Sequence, residues 1–92
     1  MEEHSIYVGE KPFMNYVTSV VMQFTTLNAT EVTIRARGKF ISRAVDIAQV
    51  AMKRFLVEQV RIKDIKIGSE QFKTEEGRDI TVSTIDIILE KA

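Results

Sequence analysis

No cysteine occurs in the chain, which excludes disulfide bridges and thiolate metal sites alike and fits a reducing compartment. Histidine is almost as scarce: His4 stands alone near the N-terminus, where a frayed, incidental residue is expected. A His-based metal site or a nucleophile–His–acid triad needs imidazole in the body of the fold. Nor is there a phosphate-binding glycine loop, a dinucleotide-binding glycine pattern or an HExxH zinc helix. No run of 18 apolar residues exists, so no transmembrane helix is expected. The opening MEEHSIYVGEKP lacks the apolar segment of a signal peptide. Charge of one sign is missing too: 13 basic and 13 acidic residues give a formal net charge of zero. Together these absences argue against an enzyme, a cofactor, a metal, a small-molecule substrate or a membrane partner, and for a soluble cytoplasmic protein.

What is present suffices for one domain, residues 1–92, because 45% of the residues are apolar and a chain of this length buries one core. Residues 5–9 (SIYVG) read as a short strand, and Pro12 suits the first turn of a helix. Apolar residues then recur at helical spacing over residues 13–27: Phe13, Val17, Val20, Val21, Phe24 and Leu27. Residues 31–37 (EVTIRAR) alternate, with Val32, Ile34 and Ala36 on one face and Thr33, Arg35 and Arg37 on the other. A second helix is expected over residues 40–55, its stripe formed by Ile41, Ala44, Val45, Ala48, Met52 and Phe55. Residues 59–67 and 80–89 alternate again, with a phase change near Asp64 that predicts a bulge. KTEEGRD joins them, Gly77 supplying the positive φ of a hairpin turn. The order β-α-β-α-β-β predicts an α/β two-layer (α+β) sandwich: a four-stranded mixed sheet with two helices on one face. The last two strands are too long for a 16-residue helix to cover, so their hairpin should project and touch a partner or a ligand.

Charge is uneven along the neutral chain. In RARGKFISR, Arg35, Arg37, Lys39 and Arg43 crowd a region with no acid between Glu31 and Asp46. Cations at the start of a helix oppose its dipole, whereas the free N–H groups there attract anions. The residues alone leave two readings open, a phosphate-binding patch or a solvated face paired with acids from elsewhere. If the first two strands are parallel neighbours, the GEKP loop joins the patch and brings Lys11 close. Asn15 then adds a hydrogen bond. Tyr16 adds either an aromatic surface or core packing. Asp46 is expected to pair with Arg43 or Lys39, and Asp64 and Glu70 to be solvated.

GEKPFMNYV, RARGKFISRAVDIAQ, KRFL, EGRD and VSTIDIILEK occur in this order across nearly the whole chain, which closely resembles the Alba family of archaeal chromatin and nucleic-acid-binding proteins. The resemblance implies an initiation-factor-3 C-terminal-like fold. It also implies a homodimer that coats and compacts double-stranded DNA with little sequence preference, binds RNA, and forms higher-order arrays or pairs with a paralogue. It assigns body contacts to Lys11, Arg35, Arg37, Lys39 and Arg43, with Asn15 and Tyr16 in the same block. Lys73 and Arg78 become arm contacts and Phe55 a contact between neighbouring dimers. Two features depart from the family. Glu10 replaces the first of two adjacent loop lysines, an acetylation site in the family, which leaves Lys11 as the candidate for that modification. Residues 70–79 carry four acids and two bases, so the arm is net negative. Both departures imply weaker binding with a flatter salt dependence. The alternative expectation is a protein-interaction subunit of a ribonucleoprotein or chromatin assembly, with RNA as its main ligand.

Overall fold

The computed structural model describes residues 4–92. Its elements, in chain order, are β1 (Ser5–Tyr7), α1 (Phe13–Thr25), β2 (Glu31–Arg37), a 3-10 turn (Gly38–Phe40), α2 (Ile41–Val50), a π turn (Ala51–Phe55), β3 (Val60–Lys73) and β4 (Asp79–Lys91). The strands lie in the order β1-β2-β4-β3. β1 runs parallel to β2, while β4 is antiparallel to both of its neighbours. The expected mixed sheet, with its two helices on one face, is therefore what the chain forms.

Alternation decides which strand residues meet the helices. Ile6, Val8, Val32, Ile34, Ala36, Ile85, Ile87 and Leu89 are buried against Tyr16, Val17, Val20 and Phe24 of α1 and Ala44, Ile47 and Ala48 of α2. Ile34, Ile47 and Leu56 are among the largest side chains wholly out of solvent, where truncation to alanine costs about 2–5 kcal/mol. On the opposite face of β2, Arg35 and Arg37 alternate with the buried residues as expected, but Thr33 is also buried.

Several boundaries differ from the sequence expectation. α1 stops at Thr25, two residues before Leu27, and Leu27 is exposed. Asn28 takes a left-handed φ of 53°, a conformation that asparagine tolerates and that ends helices. In α2 the buried stripe is Ala44, Ile47 and Ala48, continued by Ala51; Val45 and Phe55 of the expected stripe are exposed. The π turn explains Phe55. Its i→i+5 bond, from the Leu56 N–H to the Ala51 carbonyl at 2.9 Å, spends an extra residue in the turn and rotates the end of the segment off the helical phase. His4 is not frayed: its carbonyl accepts from the Thr33 N–H at 2.8 Å, and its Nδ1 lies 2.6 Å from Gln23 Oε1.

β3 and β4 are longer than expected and stay paired out to Lys73 and Asp79. The molecule measures 47 × 27 × 19 Å, longer than the ~15 Å of sheet that the ten-residue α2 can shield. Lys63 is the extra residue of the bulge between Ile62 and Asp64. Its ammonium donates to Glu31 Oε2 at 2.8 Å, and this bond holds its pKa above the usual lysine value. The stabilisation is therefore complete at neutral pH and is lost only as pH rises through that raised value. At the arm tip, the Thr74 carbonyl accepts from the Gly77 N–H, and Gly77 sits at φ 82°.

Candidate nucleic-acid interface

Because β1 and β2 are parallel, their C-terminal ends open at the same edge of the sheet. The chain leaving β1 passes Val8, whose N–H donates to the Arg35 carbonyl at 2.8 Å, and forms the loop of residues 9–12. The chain leaving β2 turns at Gly38, φ 57°, into the 3-10 turn. Both helices start from these connections, so their N-termini share the edge. Neither helix has an acid in its first turn or a side-chain cap on its free N–H groups. Pro12 occupies the cap position of α1 rather than its first turn.

The first loop is clamped from inside. Tyr16 is 7% exposed, and its hydroxyl oxygen accepts from the Gly9 N–H at 2.9 Å and the Lys11 N–H at 3.1 Å. Core packing is therefore the role of its ring. Arg43 reaches over from α2, donating through Nη1 to the Gly9 carbonyl at 2.9 Å and through Nη2 to the Lys11 carbonyl at 2.8 Å. Its guanidinium carbon also lies 5.7 Å from the Tyr16 ring centroid, within cation–π range. Arg43 and Tyr16, both expected among the contact residues, hold the backbone of the loop that displays Lys11. The expected pairing of Asp46 with Arg43 or Lys39 gives way to other partners: Arg43 holds the loop and Lys39 faces Glu10.

Among the described residues, three exposed cations remain at this edge: Lys11, Arg37 and Lys39. Each of the last two faces an acid. Lys39 Nζ is 3.7 Å from Glu10 Oε1, and Arg37 Nη1 is 3.6 Å from Glu70 Oε2 on the arm. All four side chains are more than half exposed, so these pairs are weak and screened by salt. A phosphate can replace either acid, whose presence nevertheless lowers the local positive potential. Asn15 is exposed in the first turn of α1. Arg35 is half-buried, its guanidinium carbon 5.9 Å from the ring centroid of Tyr7.

The other expected contacts lie apart from this cluster. Lys73 ends β3 and Arg78 sits in the tip turn, both exposed. Lys73 stands three residues beyond Glu70, about 10 Å along the strand at ~3.3 Å per residue. Phe55, 48% exposed, lies past the C-terminus of α2, opposite the end that meets the loop. Tyr7 is absent from the contacts expected from sequence, although its alternation with Ile6 and Val8 puts it on the solvent side of β1.

The Alba family model matches residues 4–69. DNA/RNA-binding protein Alba 1 of Archaeoglobus fulgidus is 55% identical over 91 residues, covering 99% of this chain and 99% of that protein. DNA/RNA-binding protein Alba of Methanococcus maripaludis is 51% identical over 89 residues, covering 97% and 99%. Alba from Thermoplasma volcanium superposes with a TM-score of 0.86 at 41% identity, over 95% of this chain and 99% of that one. The Archaeoglobus and Methanococcus relatives are named for binding and not for catalysis. With sequence identity running along nearly its whole length and the same sheet-and-helix scaffold as theirs, the chain belongs to the Alba family.

Proposed function

We propose that this protein binds nucleic acid without catalysing a reaction on it, packaging double-stranded DNA and also binding RNA, largely independently of sequence. The observation that carries the reading is the edge where Lys11, Arg37 and Lys39 meet two helix N-termini that have no acid in their first turns. Exposed N–H groups and cations converging on one edge suit a phosphodiester backbone, which carries charge but no sequence information. The kinship with proteins named DNA/RNA-binding protein supports the same ligand.

The protein acts as a homodimer. Ile62, Ile65 and Ile67 pair with Leu89, Ile87 and Ile85 of β4 and so lie on its helix-side face, yet they remain exposed, Ile67 by 83%. A second copy placed there covers this stripe and points two arms at the duplex, with Lys73 and Arg78 at their tips. Phe55 serves contacts between dimers along DNA, and a paralogue can take the second position. Glu10 and Glu70, beside Lys39 and Arg37, make the binding weaker than two adjacent loop lysines would allow, and Lys11 is the loop lysine left for acetylation. The working place is the chromosome in the cytoplasm.

Gel-shift titrations with duplex DNA, single strands and structured RNA at several salt concentrations test the proposal. Binding that weakens steeply with salt on all of them is expected. No shift at low salt overturns it.

A further inference from the structure

The face of the sheet opposite the helices carries an ordered row of side chains near the loop edge. In register across the strands stand Tyr7 of β1, Arg35 of β2, Asp86 of β4 and Lys66 of β3. Tyr7 is 71% exposed, whereas Arg35 and Asp86 are half-buried. An open groove of about 700 Å³ is lined by Tyr7, Arg35 and Asp86 of this row, together with Arg37, Phe40 and Glu70. Its size is in the ~300–1,000 Å³ range of small-ligand sites. The other end of the same face is filled by ion pairs, Lys63 with Glu31 and Arg61 with Glu90, each at 2.8 Å. The end beside the loop edge combines an aromatic ring, a guanidinium and a carboxylate around a groove.

We propose that this groove is a second binding site, which takes an unpaired base of single-stranded nucleic acid. Tyr7 supplies the π surface on which the base stacks, a contact open to any base because every base has a π face. Arg35, held 5.9 Å from the ring centroid, keeps the ring in place from the β2 side. The Asp86 carboxylate accepts from an exocyclic amino group, as carboxylates do with cytosine. Arg37 projects from the same face of β2 two residues beyond Arg35, where it takes the adjoining phosphate. A paired base has its faces covered by its stacked neighbours, so duplexes are excluded from the ring. The groove thus separates single strands from duplex by chemistry that the phosphate edge lacks. The inference rests on the nucleic-acid reading above.

The test is fluorescence-anisotropy binding of an oligocytidylate of about 12 nucleotides, within the usual site sizes, beside a DNA duplex of equal length. Wild type, Tyr7→Ala, Tyr7→Leu and Tyr7→Phe are compared, with circular dichroism confirming that each is folded. Tyr7→Ala and Tyr7→Leu should weaken oligocytidylate binding by about tenfold, Tyr7→Phe should retain it, and duplex affinity should not move. Leucine keeps the apolar area and removes the π face, so a fold defect and a stacking defect separate. Wild-type-like binding of oligocytidylate by Tyr7→Ala, or an equal loss on both ligands, overturns the groove while leaving the phosphate edge standing. Wild type binding neither ligand overturns both.

Discussion

Tyr16 and Arg43 act through the backbone of another segment. The Tyr16 hydroxyl gathers two N–H groups of the first loop and the Arg43 guanidinium two of its carbonyls. Tyr16→Phe leaves the ring packed but strands both N–H donors. A loss of about 1–2 kcal/mol in urea denaturation is expected, with faster hydrogen exchange at Gly9 and Lys11. Arg37→Ala should behave in the opposite way, leaving stability within about 0.5 kcal/mol because the side chain is exposed, while nucleic-acid affinity falls. Glu10→Lys removes the acid facing Lys39 and adds a cation. It should raise duplex affinity and steepen the salt dependence by about 0.9 per additional phosphate neutralised. An unchanged slope would show that this loop does not meet the phosphates.

At the scale of elements, two glycines control the arm differently. Gly38 has φ 57°, and a Cβ there would stand 3.3 Å from Val82 Cγ1 of β4. Gly38→Ala therefore adds crowding against the arm to backbone strain, and a loss of about 1–3 kcal/mol is expected. Gly77, φ 82°, has open space around its missing Cβ, so Gly77→Ala should cost only about 1 kcal/mol. That cost should appear as faster exchange at the tip amides with the body unchanged. The sheet is legible in the sequence because alternation has period two and resists small errors: Ile85, Ile87 and Leu89 face the core as expected, and the phase change at Asp64 marks a real bulge. α2 is less legible. A π turn leaves no mark in the apolar pattern, so helical spacing puts Phe55 on a face it does not occupy and overlooks Ile47 and Ala51. The clamp is hidden for another reason. Arg43 lies 34 residues from Gly9, and no local spacing says which carbonyls a guanidinium will find.

Across the whole molecule, zero net charge conceals strong anisotropy. One edge gathers Lys11, Arg37, Lys39 and two helix N-termini, while the arm tip is net negative. The exposed isoleucines of β3 lie on the face that the proposed second copy covers. Ile67→Glu should give a folded monomer by light scattering, with duplex binding weakened because the arms no longer act in pairs; a dimer that survives the substitution would remove that face from the account. The most direct test of the central claim is duplex affinity measured across a range of salt for wild type, Arg37→Ala and Lys39→Ala. The account predicts weaker binding for each variant on every sequence tried, and a log–log slope flatter by about 0.9 for each phosphate no longer neutralised. Slopes and affinities identical to wild type would contradict it.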